Sequence, residues 1–320
     1  MTALKQRSLW TQNRSWLSHG AVSKNKQEAV SELLFQRGNN MLSAKRYLNW
    51  TLTAIAFIAI SFAMATASDA AFDEKDIVGM WTFEEGKGKV VEDLSGNGTD
   101  GEFVGDLKWA KGKFGGGLEF NGQDTWVKLG TKGEEKTLAA LDFKESKGFS
   151  IHSWVYAAED PTGKCVIWKG LGCSTWSQFL LGTGAHENGE NSTMAAFHIR
   201  AANGGGKLEV LGDELPAKEW VHLVGTWDGS QLHVYVNGKL QNSEDAKGPP
   251  WASPEEVYIG ADPGCGKRCQ WNGIIDEVVV FDTVLTDDDV SKLGEGIEGA
   301  LAVDAAGKIA TTWGSLKSAQ

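Results

Sequence analysis

The sequence predicts an all-β protein, in which two antiparallel sheets pack as a jellyroll sandwich behind an N-terminal hydrophobic helix. Apolar and polar residues alternate through Val221–Thr226 and through Leu232–Val236, which is the period of a half-buried strand. Asp228-Gly229 and Asn237-Gly238 follow these two runs and supply turn dipeptides that reach positive φ. Short runs of this kind recur with almost no helical pattern between them, which is typical of a sandwich or jellyroll.

The predicted strands lie in one domain, residues 77–293. Each is a short run rich in Val, Ile, Trp or Phe between Gly or Asn turns. Besides the hairpin above, these runs are Val78–Phe83, Gly117–Phe120, Trp126–Leu129, Phe149–Tyr156, Cys165–Trp168, Phe179–Leu181, Ala195–Ile199, Lys207–Leu211, Val257–Ile259 and Ile274–Phe281. Only Thr286–Leu293 has a helical pattern, because Thr286 and Asp289 have the spacing of a capping box. The tail, residues 294–320, is expected to be a short strand or a loose extension.

The N-terminal region predicts export. Lys45 and Arg46 precede an apolar run, Leu48–Ala67, which ends in the small residues of an A-x-A cleavage site. Residues 41–67 are therefore interpreted as a signal peptide, with a membrane-anchoring signal as the alternative, since the run is near the lower limit of roughly 17–25 residues for a span. Residues 1–40 are a polar, basic extension, and Met41 is a candidate start. Either reading places the rest of the chain outside the cytoplasm, secreted or membrane-anchored.

The charge balance excludes some partners. The chain has 31 Lys and Arg against 42 Asp and Glu, a formal net charge of −11. An acidic surface argues against nucleic acid, whose phosphates require dense Lys and Arg. It is compatible with solubility and with divalent cations, but it specifies no partner.

Four cysteines, Cys165, Cys173, Cys265 and Cys269, lie in the exported part. An even number in an oxidising compartment predicts two disulfide bonds. A zinc site is disfavoured, because no His lies near either pair and C-x-x-x-C is not a zinc-ribbon spacing. A crossed pairing is favoured because both segments are expected in loops of one sandwich, but the sequence leaves all three pairings open.

Five ordered segments resemble the laminin-G-like jellyroll family of the concanavalin A-like lectin/glucanase superfamily. They are IVGMWTFEEGKGKVVEDLSGNGTDGEFVG, KFGGGLEFNGQDTWVKLG, FSIHSWVY, WVHLVGTWDG with VYVNGK, and NGIIDEVVVFDTVLTDDDV. The resemblance covers roughly residues 77–293 and implies a concanavalin A-like jellyroll. It does not imply one function, since this scaffold serves many.

A calcium site is expected near the run Asp93–Gly101, which concentrates carboxylate, amide and carbonyl oxygens in one turn. In relatives a structural calcium joins the end of the first strand to the terminal strand. By resemblance, its ligands here would be Glu84 or Glu85, Asp93, Asn97 and Asp276. In the alternative interpretation, Asp93 and Asn97 only cap a turn and Asp276 pairs with a lysine.

A glycan site is expected in the loops. The chain has 14 tryptophans, and an indole face packs against a sugar ring while amide and imidazole groups bond its hydroxyls. The candidate ligand-binding residues, all in or beside predicted loops, are Trp168, Trp176, His186, Asn188, Asn191 and Trp271. The tryptophans that alternate within strands are expected to be core residues.

No catalytic motif is found. The paired-carboxylate pattern E-x-D-x-E of the glucanase relatives is absent, as are G-x-S-x-G and H-E-x-x-H. Asp276 and Glu277 are adjacent, so a regular strand would point them to opposite faces. The sequence therefore predicts a non-catalytic binding module that recognises carbohydrate or glycoprotein at the cell surface. The alternatives are a structural or adhesive protein-binding module and a divergent glycoside hydrolase or lyase.

Overall fold

The computed structural model of the protein describes residues 31–33, 35, 72–130, 139–170, 177–184, 192–202, 206–265 and 269–304. The chain divides into two compact units, residues 1–68 and 69–320, and the fold below is that of the second. The hydrophobic segment 48–67 lies outside the described residues, so its role as signal peptide or anchor stays a prediction. Within the described ranges, no helix is both long enough and apolar enough to span a bilayer.

The second unit is built mainly from strands, as the sequence predicts. In chain order they are β1 (Ile77–Trp81), β2 (Val90–Val91), β3 (Gly101–Val104), β4 (Lys108–Lys111), β5 (Gly116–Asn121), β6 (Trp126–Leu129), β7 (Phe149–Ala157), β8 (Cys165–Gly170), β9 (Ser177–Thr183), β10 (Met194–Arg200), β11 (Lys207–Glu214), β12 (Trp220–Trp227), β13 (Gln231–Val236), β14 (Lys239–Asp245), β15 (Val257–Ile259) and β16 (Asn272–Phe281). Two α-helices follow β16: α1 (Asp287–Leu293) and α2 (Ile297–Asp304).

The strands form two antiparallel sheets, which confirms the predicted sandwich. Sheet 1 has the order β14-β13-β12-β7-β16-β5-β4, and β1 pairs with the C-terminal half of β16. Sheet 2 has the order β11-β10-β9-β8-β15-β6-β3-β2. Strand β16 pairs with β7 along one edge, and with β5 and then β1 along the other. This central position in sheet 1 fixes where the residues of β16 point.

The core between the sheets is rich in aromatic side chains. The rings of Phe143 and Phe149 stack with their centroids 4.1 Å apart. Phe179, Phe197 and Trp227 pack around Phe149 at centroid distances of 5.7 to 6.0 Å. Burying each such side chain contributes about 2–3 kcal/mol, so this group accounts for much of the cohesion of the sandwich.

Two local sequence motifs, a turn dipeptide and a capping box, adopt the structures predicted for them. Asn237 and Gly238 connect β13 to β14 with φ values of 51° and 77°, as a two-residue type I′ hairpin requires. At the start of α1, the Thr286 hydroxyl accepts a hydrogen bond from the Asp289 N–H, and the Asp289 carboxylate accepts one from the Thr286 N–H. The predicted capping box is therefore confirmed.

The two helices cover the outer face of sheet 1. A second apolar cluster joins residues of that face, such as Val279 and Phe281, to Val290 of α1 and to Ile297 and Leu301 of α2. The first part of the tail is thus a helix, not the short strand or loose extension that the sequence suggested. Its Ala- and Gly-rich sequence gives a weak helical signal, and packing on the sheet stabilises it instead.

Candidate functional site

A β-bulge in β16 reorganises the region around Asp276 and Glu277. Asp276 pairs with Trp154 of β7, and Val279 pairs with His152, so three steps along β16 match two steps along β7. Glu277 has a positive φ of 47°, which is rare for a residue with a side chain. The extra residue and the unusual backbone are the signature of a bulge, a feature that often redirects side chains beside functional sites.

The bulge places both carboxyl groups on one side of the sheet. Ile275 and Val278 both belong to the core between the sheets, although they are three residues apart. The two residues between them, Asp276 and Glu277, therefore lie on the outer face together. The expectation that they point to opposite faces is wrong, because regular strand alternation does not hold across a bulge.

Glu277 is buried at the start of α2. Its two carboxyl oxygens accept hydrogen bonds from the Ile297 N–H at 3.2 and 3.1 Å, and its Oε2 lies 3.6 Å from His152 Nε2. Burial raises the pKa of Glu277 to about 8. The Ile297 hydrogen bond opposes this rise in pKa, whereas the charges of Glu298 and Glu84 add to it. Glu277 is therefore mainly protonated at neutral pH.

Asp276 is held by the turn between β4 and β5. Its Oδ2 accepts a hydrogen bond of 2.9 Å from the Phe114 N–H, whereas its buried Oδ1 has no partner among the described residues. Burial raises the pKa of Asp276 to about 8. The Phe114 hydrogen bond lowers this pKa, and the charge of Glu277 raises it. A carboxyl group of this kind holds the turn in place without carrying a full charge at neutral pH.

Two histidines complete the buried polar group. His152 Nδ1 lies 2.7 Å from His222 Nε2, so one ring donates to the other. Burial lowers the pKa of His152 to about 3, and burial together with the His152 charge lowers that of His222. Both rings are therefore neutral at physiological pH. The Trp154 ring stacks on His222 with a centroid distance of 5.1 Å.

A cleft of roughly 390 Å³ opens beside this group, between the β4–β5 turn and α2. Glu277 and Thr82 are its buried polar residues, and the half-buried Phe114 ring forms an apolar wall. Three exposed carboxylates line it as well: Glu84, Glu295 and Glu298. The Glu84 carboxylate is itself fixed, because its Oε1 accepts a 2.9 Å hydrogen bond from the Gly116 N–H. An aromatic wall with converging polar groups is the usual composition of a small-molecule site.

Comparison with known families identifies the scaffold. Residues 121–291, just over half of the chain, match the family described as the concanavalin A-like lectin/glucanases superfamily. The chain belongs to this superfamily. No curated protein matches the chain significantly.

Solved structures similar to this concanavalin A-like protein include binding domains. Domain 4 of AbnA, an extracellular GH43 arabinanase from Geobacillus stearothermophilus in complex with arabinotriose, has a TM-score of 0.51 and 19% identity, over 68% of this chain and 98% of that one. The binding domain of Paraclostridial Mosquitocidal Protein 1 has a TM-score of 0.52 and 13% identity, and that of Botulinum Neurotoxin DC in complex with SialylT has 0.50 and 14%. Each of these two matches covers 69% of this chain and 52% of the toxin chain, so the chain spans about half their length. At these identities the likeness shows the fold alone.

The residues predicted as calcium ligands do not converge. Among the described residues, no three His, Cys, Asp or Glu side chains are placed to hold one metal ion. The carboxyl groups of Glu84 and Asp276 accept backbone hydrogen bonds at the β4–β5 turn. Glu85 Oε1 instead accepts a 2.7 Å hydrogen bond from the Glu92 N–H. The residues present thus do not fit the calcium site that the resemblance implied, and calcium binding by the chain stays a prediction.

Asp93 and Asn97 shape the turn between β2 and β3. Asp93 Oδ1 accepts hydrogen bonds from the Met80 N–H at 3.1 Å and the Ser95 N–H at 2.9 Å, and its Oδ2 accepts one from the Thr99 N–H at 2.9 Å. Asn97 Nδ2 donates to the Val78 carbonyl at 3.2 Å. Both side chains have the turn-capping roles of the alternative interpretation.

Asp93→Ala is expected to lower the free energy of unfolding by about 3 kcal/mol, because three backbone donors lose a charged acceptor. Urea unfolding in the presence of EDTA and in the presence of calcium measures this loss. Equal losses in both solutions support the capping role, and Asp106→Ala, which removes an exposed aspartate, serves as the control. A loss confined to the calcium solution would instead establish Asp93 as a ligand.

Of the six residues predicted to bind glycan, two lie within the described part of the chain. Trp176, His186, Asn188 and Asn191 lie outside the described residues, so their roles stay predictions. Trp271 is wrong as a ligand-binding residue, because its side chain is 0% exposed within the core between the sheets. Trp168 is on the outer face of sheet 2 but is also buried, in a small cluster with Leu180.

A second polar network lies on the outer face of sheet 2. The Ser177 hydroxyl is 2.9 Å from His198 Nε2, and His198 Nδ1 is 3.9 Å from a Glu209 oxygen. The order of groups is that of a nucleophile, a base and an orienting carboxylate. Ser177 is only 2% exposed, so its hydroxyl is shielded from solvent in this structure. The network connects the neighbouring strands β9, β10 and β11.

Of the residues that line the cleft, only Glu84 was a candidate site residue in the sequence, and it was predicted as a calcium ligand. The bulge was invisible because it depends on pairing with β7, a strand more than a hundred residues earlier. His152 and His222 each stand singly within apolar strands and read as core residues. A detectable signal was the glycine-rich segment around Phe114, since three consecutive glycines, Gly115–Gly117, favour a close approach of the backbone to another group.

Proposed function

We propose that this protein is a non-catalytic module, exported to the cell surface, that binds carbohydrate or the glycan of a glycoprotein in the cleft between the β4–β5 turn and α2. The observation that carries the proposal is that the half-buried Phe114 ring and several carboxyl groups line one cleft. A sugar ring can pack on the phenyl face while vicinal hydroxyl groups donate to carboxylate oxygens. The cleft volume of roughly 390 Å³ is within the about 300–1,000 Å³ of small-molecule sites.

The fold supports a binding role. The arabinanase domain named above is described in complex with arabinotriose, and the neurotoxin binding domain in complex with SialylT. Both share the sandwich with this chain, although neither shares enough sequence to transfer a ligand. The proposed export rests on the apolar segment 48–67 and its basic flank.

The buried pair of Asp276 and Glu277 does not supply the two flanking carboxyl groups of a glycosidase. Glycosidases need two carboxyl groups flanking the scissile bond, one to protonate the leaving oxygen and one to act on the opposite side. Glu277 lines the cleft, but Asp276 accepts a backbone hydrogen bond from the turn that covers it. Only one member of the buried pair is therefore placed to touch a bound sugar.

A glycan array probed with the purified full chain tests this function. We expect binding to at least one class of oligosaccharide, with Kd raised at least tenfold by Phe114→Ala or by Glu298→Gln. Phe103→Ala is the matched control, because Phe103 is another half-buried phenylalanine but lies on sheet 2 beside Trp109. Absence of glycan binding, or equal Kd values for the wild type and Phe114→Ala, would refute the proposal. Hydrolysis of a bound glycan in the same sample would favour the glycoside hydrolase alternative.

A further inference from the structure

Two cysteines distant in sequence lie side by side between β8 and the segment that precedes β16. The Cys165 N–H donates to the Cys269 carbonyl at 3.0 Å. In an antiparallel pair whose residues exchange two such bonds, the Cα atoms lie about 5.5 Å apart, and a single bond also brings the two backbones close together. A Cα separation of about 5.5 Å falls within the range of about 4.4–6.8 Å that a disulfide bond requires.

The two thiols are also in contact and shielded from water. Both side chains are buried in the small cluster with Trp168 and Leu180 on the outer face of sheet 2. Burial raises the pKa of the Cys165 thiol, and its hydrogen bond with Cys269 raises it further. A pair of buried, protonated thiols is a poor nucleophile and a poor redox catalyst, since the thiolate is the reactive form.

The described residues supply no metal site for the pair. Zinc sites use four ligands, and the described residues contain no group of three His, Cys, Asp or Glu that could hold an ion. The contact of the two thiols and their common burial permit a covalent link between the two sulfur atoms.

We infer that Cys165 and Cys269 form a disulfide bond that ties β8 of sheet 2 to the segment leading into β16 of sheet 1. The bond is made by exchange with a donor disulfide, such as oxidised glutathione or an oxidised dithiol oxidase. One cysteine thiolate attacks the donor and releases one donor thiol, and the second then attacks the mixed disulfide and releases the other. The chain loses two protons and two electrons, and the donor disulfide is reduced to two thiols.

The bond has a consequence for the cleft. It closes a loop from residue 165 to residue 269 and anchors the chain shortly before Asp276 and Glu277. Long closed loops restrict the unfolded chain most, so the gain in stability is large. Because both sulfur atoms are buried in the folded protein, the exchange takes place before folding is complete. The inference depends on the proposed export only for the oxidising environment in the cell.

Refolding in a glutathione redox buffer tests the pairing independently of export. The full chain is refolded, its free thiols are alkylated, and its peptides are mapped by mass spectrometry without reduction. We expect a linked peptide pair that contains Cys165 and Cys269, with a mass about 2 Da below the sum of the two thiol peptides. The double variant Cys173→Ser/Cys265→Ser should form the same link, because it retains only the proposed pair. Its Tm is expected to fall by about 10 °C on reduction.

Links that join Cys165 to Cys173 and Cys265 to Cys269, or alkylation of Cys165 and Cys269 in the oxidised sample, would overturn the pairing. So would a double variant whose Tm does not change on reduction. A separate sample recovered from outside the cells that express it tests export. A link that forms in the redox buffer but is absent from that sample would count against the proposed export and leave the pairing intact.

Discussion

The wild-type protein is expected to lose stability as the pH rises from about 4.5 to about 8, because Glu277 then gives up its proton in the unfolded chain but not in the folded protein. Glu277→Gln is expected to abolish this contribution to the loss. The carboxyl group has a pKa of 4.5 in the absence of perturbation and of about 8 in the folded protein, because it is buried. Within this window the folded protein keeps a proton that the unfolded chain has released. Each pH unit therefore lowers the free energy of unfolding by up to about 1.4 kcal/mol, on the order of 5 kcal/mol in total.

Urea unfolding at one-unit steps from pH 5 to pH 9 measures the effect. The stability of Glu277→Gln relative to the wild type should rise with pH and level off above about 8. The buried, neutral histidines lower the free energy of unfolding as the pH falls below about 6.5. Both proteins contain them, so their contribution cancels in the comparison. Glu219→Gln, an exposed change whose charge does not act on Glu277, should shift stability by less than about 0.5 kcal/mol at each pH. A constant difference between Glu277→Gln and the wild type would show that Glu277 is ionised in the folded protein.

Gly112→Ala is expected to lower the free energy of unfolding by about 3 kcal/mol and to abolish binding in the cleft. A Cβ atom at this position would lie 1.7 Å from the Gly116 carbonyl oxygen and 2.5 Å from Asp276 Oδ2. The backbone of the β4–β5 turn would have to move away, which breaks the hydrogen bond from Phe114 to Asp276. Phe114 would then leave the wall of the cleft.

Gly206→Ala is the matched control for this change. Among the described residues, no atom lies within 4 Å of a Cβ placed at Gly206, so alanine should alter the free energy of unfolding by less than about 0.5 kcal/mol. Denaturant unfolding and the glycan-binding assay together measure both variants. Wild-type stability for Gly112→Ala would mean that the turn is not packed against Asp276 as described.

The sandwich could be predicted because its signals are local. Alternation within Val221–Thr226, the Asn237-Gly238 turn and the capping box at Thr286 each depend on residues within a few positions of one another. Short strands of two to four residues, such as β2 and β4, carry too few residues to show a period. They exist because longer neighbours offer them backbone hydrogen-bond partners.

The cleft could not be predicted because its contacts connect distant parts of the chain. Nothing in IIDEVV marks Glu277 as the extra residue of a bulge, since the register is set by pairing with β7. Helix α2 has a positive-φ glycine, Gly296, before it and receives its N-terminal hydrogen-bond acceptor from Glu277. The contact between Cys165 and Cys269 likewise follows from the topology of the sheets, because sequence spacing favours no single pairing.

A crystal structure of the protein with the oligosaccharide selected on the array tests the central claim most directly. The account predicts a sugar ring packed on Phe114, with hydroxyl oxygens within about 3.2 Å of the carboxylate of Glu84 or Glu298. Binding of the sugar on the outer face of sheet 2 near Trp168, with no sugar beside α2, would contradict it.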